Sequence, residues 1–225
     1  MSAILRLTSV AVLALAVGLI GTSHMSSDSG YYPLRKGLTW DYQIQNASGA
    51  LLQLRVTNSG TREVGSQKAV AQKLAFGESF AYRFAVELPD RIAIVGEQPP
   101  GQTTPIVIDP PAVILRLPPD VGTAWSSDGT TTALRPGTKV PVTTTIESVT
   151  DTVTVPAGTF ESCVRVASSG RVQVALDDGS NAEIRLETKL WYAPGVGAVR
   201  IRRTESTDLA DVKTAETEYQ LVNRF

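Results

Sequence analysis

One stretch constrains the fold of this chain more than any other: residues 181–203, with the sequence NAEIRLETKLWYAPGVGAVRIRR. Before Pro194 apolar residues alternate with charged ones, which is typical of a half-buried β-strand because successive side chains point to opposite faces. Pro194-Gly195 favours a tight turn, since proline presets φ and glycine accepts a positive φ without strain. The alternation resumes after the turn. The stretch therefore predicts an antiparallel hairpin in which Arg200 and Arg202 lie across from the glutamates of the first strand.

The same period of two recurs through the rest of the chain. Its clearest instance is residues 80–88, FAYRFAVEL, where Phe80, Tyr82 and Phe84 share one face. DDG at residues 177–179 marks another hairpin. No segment after the N-terminal region has a convincing apolar stripe at helical spacing, so an apolar sheet face must be covered by another sheet, by closure, or by a bound apolar ligand. We predict an all-β protein, an antiparallel meander forming a sandwich, barrel or half-barrel, preceded by an N-terminal signal helix.

A proline-rich region divides the alternating segments. Prolines are concentrated in residues 99–119, and because proline has no N–H for a ladder this region is predicted to be an extended loop or an edge strand. Next to it, PPDVGTAW, ending at Trp125, repeats the Pro-x3-Gly-x2-Trp spacing of PLRKGLTW, ending at Trp40. We predict a single β domain at residues 24–225, with two β halves meeting near residue 118 as the alternative.

The N-terminus has the pattern of an export signal. Arg6 precedes an apolar run at residues 7–20 without acidic residues, and Gly21 and Ser23 are small residues at positions −3 and −1 of a cleavage site. The run is shorter than the roughly 20 residues of a spanning helix, so residues 1–23 are predicted to be a cleaved signal peptide and the mature chain to have no stable membrane span. The segment LIGT has threonine where a lipobox needs cysteine. The predicted location is periplasmic or secreted.

Composition bounds the partners and the redox chemistry. The formal net charge is −1, with both signs interspersed, which favours neither nucleic acid nor an anionic membrane surface as a partner. Cys163 is the single cysteine, so no intrachain disulfide can form. Only Arg165 nearby could stabilise a thiolate. A small, partly buried filler is therefore favoured for Cys163 over a reactive thiol or an intermolecular bridge.

The sequence contains no motif of a named chemistry. The single histidine, His24, lies beside the predicted cleavage site, where no scaffold would position an imidazole for a triad. There is no CxxC, HExxH, calcium loop or phosphate loop, so neither a metal nor a cofactor is predicted. Asp177 and Asp178 precede Gly179, a place that favours a turn role over acid/base catalysis. We predict that the protein is not an enzyme; hydrolysis by two distant carboxylates stays open.

Five aromatic residues are the candidates for contacting an apolar ligand. They are Trp40, Phe80, Tyr82, Phe84 and Trp125. Aromatic residues on the inner face of a strand usually pack against one another, so the alternative role is the core.

Three short segments carry a resemblance to a known group of proteins. They are YPLRKGLTWDY at residues 32–42, VPAGTF at 155–160 and YAPGVG at 192–197. They resemble the motifs Y-P-L-x-x-G-x-x-W-x-Y, V-P-A-G-T-F and Y-A-P-G-V-G of a widespread group of exported or lipid-anchored bacterial proteins of uncharacterised activity. The resemblance implies a shared fold and supplies no catalytic residue. Some distant relatives look like lipoprotein-carrier half-barrels, which use helices as a lid.

These observations support two main hypotheses about function. The first is a non-catalytic exported envelope protein that binds or carries an apolar ligand or a lipidated partner. The second is a structural or interaction component of an envelope assembly, with strand edges and the proline-rich region as its contacts. A cavity of roughly 300 Å³ or more between apolar faces would favour the first. A filled core with an apolar exterior patch would favour the second.

Overall fold

The computed structural model describes residues 30–225 as β-strands and connecting loops. The predicted signal peptide at residues 1–23 and His24 lie outside these residues. The described part of the chain contains twelve strands and no helix. The strands are β1 Thr39–Gln45, β2 Leu51–Val64, β3 Gln67–Phe76, β4 Ser79–Leu88, β5 Arg91–Gln98, β6 Ile106–Arg116, β7 Ala124–Thr130, β8 Lys139–Val155, β9 Gly158–Ala175, β10 Asn181–Ala193, β11 Gly197–Thr207 and β12 Ala215–Arg224.

All twelve strands belong to one antiparallel sheet. Their order is β6-β5-β4-β3-β2-β1-β12-β11-β10-β9-β8-β7, so two six-stranded meanders join through the pairing of β1 with β12. Side chains of both meanders pack in one cluster, which includes Ile92 and Leu115 from the first and Ile146 and Tyr192 from the second. The sheet therefore curls into a nearly closed barrel with β6 and β7 at its two edges. The all-β prediction is confirmed.

The hairpin at residues 181–203 forms as predicted. Val196 donates its N–H to Ala193 O at 3.1 Å, closing a turn around Pro194-Gly195. Gly195 has a φ of 67°, which few residues other than glycine adopt without strain. Leu190 stands across from Ile201 in the register, so their apolar side chains share one face.

The charge pairing predicted within this hairpin is wrong. Arg200 stands across from Trp191 and Arg202 across from Lys189, not from a glutamate. Both arginines instead donate their Nε–H groups to Glu218 on β12. Charge complementarity in this part of the sheet therefore links β11 to β12 and not to β10.

The two segments that share the Pro-x3-Gly-x2-Trp spacing adopt the same local structure. Gly37 donates its N–H to Asn58 O at 2.8 Å, and Gly122 donates to Ile146 O at the same distance. The two glycines have φ values of 91° and 89°, in the region that favours glycine. Each glycine thus ties the entry loop of its meander to the following strands. Residue 118 lies in the loop between β6 and β7.

The tryptophan of each segment reaches across to the other meander. Trp40 donates its indole N–H to Val196 O at 2.7 Å, and Trp125 donates to Val113 O at 3.0 Å. Both indoles are buried. The two tryptophans therefore fasten the meanders to each other at different places on the barrel.

The edge strand β6 explains why the barrel is not fully closed. It contains Pro110 and Pro111, which have no N–H to offer a neighbouring strand. Side chains donate hydrogen bonds to the backbone carbonyls of this edge instead. Trp125 donates to Val113 O, and Tyr192 donates its hydroxyl to Ile114 O at 3.3 Å. The prediction of an extended loop or edge in the proline-rich region is confirmed. We call the gap between β6 and β7 the seam.

Candidate functional site

A pocket of about 450 Å³ lies between the two meanders. Strands from both contribute to its walls, and Val113 on β6 and Gly129 on β7 bring it to the seam. Its volume falls within the roughly 300–1,000 Å³ of small-molecule sites. Its apolar lining includes Trp40, Leu54, Leu74, Val113, Val166 and Ile201.

Arg83 contributes a positive charge to the pocket wall. It lies on β4 and lines the pocket as a half-buried side chain. Its Nη2 donates to Tyr32 Oη at 2.8 Å and to Gln72 Oε1 at 3.1 Å, while its Nε donates to the same Gln72 oxygen at 3.2 Å. The guanidinium is therefore held in one orientation by two neutral residues.

The partners of Arg83 are held in turn by a buried amide. Gln72 donates its Nε2 hydrogen to Asn58 Oδ1 at 3.0 Å, and Asn58 donates to Pro33 O at 3.1 Å. Tyr32 donates its hydroxyl to Gln72 Oε1 at 2.7 Å. Both amides are nearly inaccessible to solvent. Because each member has a partner, this network keeps its geometry before any ligand enters.

Two further tyrosines line the pocket near Arg83. Tyr42 donates its hydroxyl to Ala198 O at 2.7 Å, and Tyr192 donates to Ile114 O. Burial raises the pKa of both phenols above the ordinary value, the proximity of Tyr32 raises it further, and Arg83 lowers it in part. Both hydroxyls stay protonated at neutral pH, so they add hydrogen-bonding surface to the pocket but no charge.

The other charged residues of the lining are paired. Arg203 donates to Glu205 Oε1 at 2.6 Å, and Asp128 lies 3.4 Å from Lys139 Nζ. Glu97 stands across from Arg83 in the ladder of β4 and β5, yet the two form no ion pair. Within residues 30–225, Arg83 is the one cation of the pocket lining without a carboxylate partner.

The structure brings one of the five predicted aromatic residues into the pocket lining. That residue is Trp40. Trp125 packs beside the pocket in the cluster that joins the meanders, where its indole binds the edge of β6. Ligand contact stays a prediction for all five residues.

Phe80, Tyr82 and Phe84 lie on the other face of β4 from Arg83. Phe84 belongs to a separate buried cluster with Val64 at the end of β2, and Tyr82 packs against that cluster. Phe80 is 44 % exposed. The tip of the β2–β3 hairpin covers this face. Val64 at this tip packs so closely on the neighbouring strand β5 that a Cβ added to Gly96 would lie only 2.7 Å from Val64 Cγ1. The aromatic face of β4 thus has its own core.

Sequence reasoning missed Arg83 because β4 is covered on both faces. Period-two patterning assigns the charged side of a strand to solvent. The one local signal was the pair of small apolar residues, Ala81 and Ala85, on the same side as Arg83. Tyr32 and Gln72 carried no signal, because their contacts with Arg83 are set by the closure of the sheet.

Cys163 is a buried filler, more deeply buried than the partly buried one predicted, and the Asp177-Asp178 pair lies in a turn as predicted. The thiol of Cys163 is fully buried, and burial, with Asp151 adding to it, raises its pKa to about 11. Asp178 accepts hydrogen bonds from the N–H and the hydroxyl of Ser180, and Asp177 pairs with Arg135. Both aspartates lie in the turn between β9 and β10 and are not part of the pocket lining.

The described residues contain neither a metal-binding cluster nor a membrane-spanning helix. Residues 30–225 hold no group of three or more His, Cys, Asp and Glu side chains arranged to bind a metal ion. Nor does this part of the chain include a helix with the length and hydrophobicity of a membrane span.

Two solved structures are similar to this chain at a low level. One is described as an exported protein with a YmcC-like fold from Bacteroides fragilis, and the other as a lipoprotein from Parabacteroides distasonis. Each is 15% identical with a TM-score of 0.41, over 87% of this chain and 98% of the other. No protein-family model and no curated protein matches the chain. Similarity at this level establishes no shared family, so the resemblance of the three motifs stays a prediction.

Proposed function

We propose that this protein is a non-catalytic, extracytoplasmic binding or carrier module of the bacterial cell envelope, and that it holds an apolar ligand or the lipid of a lipidated partner in the pocket between its meanders. The observation that carries the proposal is the pocket of about 450 Å³ with a largely apolar lining. A closed sheet without a ligand normally fills its interior with side chains. The predicted export signal supports the location.

The arrangement of the pocket favours binding over catalysis. Two of its hydroxyls, on Tyr42 and Tyr192, donate to backbone carbonyls and have raised pKa values. Among residues 30–225, Asp128 is the one carboxylate of the lining, and it is half exposed and paired with Lys139. A pair of carboxylates flanking a substrate, as a glycosidase needs, is therefore missing from the lining of this pocket.

The seam gives the pocket a route to solvent. Ala112 and Val113 line the pocket from β6, and Ser127 and Gly129 line it from β7. The register of the sheet includes no ladder between these two edge strands. An apolar chain that enters between them breaks no ladder of backbone hydrogen bonds, and it passes the side chains of Trp125 and Tyr192 that bind the edge of β6.

The proposal is tested by binding of N-phenyl-1-naphthylamine, a neutral apolar fluorophore whose emission rises in apolar surroundings. We expect one saturable site in the wild type. Thr188→Phe should weaken binding at least about tenfold, because the ring occupies pocket volume and excludes two or more methylene-sized groups at about 0.8 kcal/mol each. Thr188 is half-buried and lines the pocket.

The matched control for this test is Lys189→Phe. Lys189 follows Thr188 on the same strand, is exposed, and points to the other face. The Lys189→Phe variant adds the same ring outside the pocket. Its affinity for the fluorophore should therefore stay within about twofold of the wild type. A wild-type protein that does not bind the fluorophore, or two variants with equal affinity, would contradict the proposal.

A second candidate function is favoured by the edge strand β6. Ile106 and Val107 at its start are each 52 % exposed, and an exposed apolar edge is a typical site for adding a partner strand. This supports the structural or interaction component of an envelope assembly as the alternative. It predicts a protein and not an amphiphile as the molecule that copurifies.

A further inference from the structure

We infer that the ligand of this pocket is an amphiphile with an anionic head, a carboxylate or a phosphate, whose head binds Arg83 and whose chain lies along the apolar walls. The inference rests on the proposed function and adds the chemical class of the ligand. It is carried by the hydrogen bonds and charge environment of Arg83.

The guanidinium of Arg83 has more N–H donors than its partners among residues 30–225 accept. Arginine has five N–H donors. Nε and Nη2 of Arg83 bind Tyr32 and Gln72, whereas Nη1 has no protein acceptor among residues 30–225. Two N–H groups are therefore available for a ligand. An anionic oxygen is the acceptor that makes the strongest hydrogen bonds with them.

The positive charge of Arg83 has no carboxylate partner among residues 30–225. A half-buried cation without a counterion is costly, because desolvation is not offset by a Coulombic partner. Arg203, the other arginine of the lining, has Glu205 as its partner. Arg83 turns to the neutral Tyr32 and Gln72 and forms no ion pair with Glu97 across the ladder. An anionic ligand would supply the negative charge that the protein does not place beside Arg83.

Buried side chains hold the guanidinium of Arg83 in place. The chain of contacts from Arg83 through Gln72 to Asn58 fixes the plane of the guanidinium before binding. A fixed planar fork suits carboxylate and phosphate oxygens, and little side-chain entropy is lost when it binds them. The apolar residues Leu74 and Ala198 line the same pocket and provide the surface for a hydrocarbon chain.

The experiment compares three ligands with the same chain in displacement of N-phenyl-1-naphthylamine: dodecanoate, dodecyl phosphate and dodecan-1-ol. In the wild type we expect at least one of the two anions to bind about tenfold or more tightly than the alcohol, as a charge-assisted hydrogen bond requires. The anion with the higher affinity identifies the preferred head group. Equal affinity of all three ligands would overturn the inference.

Substitutions of Arg83 test whether this side chain causes the preference for an anion over the alcohol. Arg83→Gln should abolish the gap between anion and alcohol, and Arg83→Lys should keep part of it because the charge remains. Arg171→Gln removes a cation with a 73% exposed side chain outside the pocket lining and should leave the gap unchanged. A gap that persists in Arg83→Gln overturns the inference.

The neutral fluorophore separates the two proposals. Its binding requires the pocket and no charge at Arg83, so it also reports whether each variant folds. If the wild type does not bind it, the proposed function fails. If the wild type binds it and shows no preference for an anion, the inference about Arg83 fails alone.

Discussion

Trp125→Ala is expected to lower the free energy of unfolding by about 3–5 kcal/mol, the range for a large aromatic residue removed from a core. Trp125 is 7 % exposed and packs in the cluster that joins the two meanders. Its indole also donates to Val113 O on the edge strand β6. The substitution therefore removes apolar contacts and leaves an edge carbonyl without its donor, at the place where the sheet has no ladder of its own.

Two further variants separate these effects. Trp125→Phe keeps an aromatic ring and loses the N–H, so its loss should be smaller, about 1–2 kcal/mol. Val121→Ala truncates a nearby residue that is 61 % exposed and should stay within about 0.5 kcal/mol of the wild type. Urea unfolding followed by circular dichroism measures all three. A Trp125→Ala protein as stable as Val121→Ala would contradict the role given to this side chain.

Glu205→Gln is expected to cost about 2–4 kcal/mol at neutral pH, because the loss of a buried charged acceptor leaves several donors poorly satisfied. Glu205 lies on β11 and is 4 % exposed. Its carboxylate accepts hydrogen bonds from the hydroxyl of Thr131, from the N–H groups of Thr132 and Ala133, and from Arg203. It thus ties the loop after β7 to β11, which lies next to β12 in the sheet.

The cost of this substitution should depend on pH. Burial alone would raise the pKa of the Glu205 carboxyl, but hydrogen bonds from Thr131, Arg203 and Thr132 outweigh it and lower the pKa from 4.5 to about 2. A pKa lowered by folding stabilises the folded protein above the unfolded value and ceases to do so as the pH falls through the folded value. The stability difference between wild type and Glu205→Gln should therefore shrink as the pH falls from 4.5 toward about 2.

The control for Glu205 is Glu187→Gln on β10. Glu187 is exposed, so this substitution should change stability by no more than about 0.5 kcal/mol at any pH at which the fold persists. Urea unfolding at several pH values compares the three proteins. A difference between wild type and Glu205→Gln that is constant across the acidic range would show that the carboxylate is not held as described.

The strands and hairpins of this fold follow from local sequence, but the site does not. Period-two patterning predicts the strands, and the residues at 194–195 predict the turn, because both depend on neighbours along the chain. Trp40 bonds to Val196, 156 residues away, and Arg83 bonds to Tyr32, 51 residues away. Such contacts depend on which strands meet when the sheet closes, and no local pattern specifies that.

Period-two patterning also does not show which face of a strand lines the pocket. Alternation separates Phe84 from Arg83 correctly, since they lie on opposite faces of β4. It cannot tell which face meets the pocket when both are covered. The aromatic face packs under the β2–β3 hairpin in its own cluster, and the face with Arg83 lines the pocket. Hydrophobicity alone therefore favours the aromatic face of β4 for an apolar site, whereas the side chain on β4 that lines the pocket is Arg83.

Native mass spectrometry of the protein, purified without detergent from the cells that produce it, shows whether the pocket carries a ligand. We expect the mass of the polypeptide plus one small amphiphile, with the added mass absent from Thr188→Phe and present in Lys189→Phe. The bare polypeptide mass, or a complex with another protein and no small molecule, would contradict this expectation.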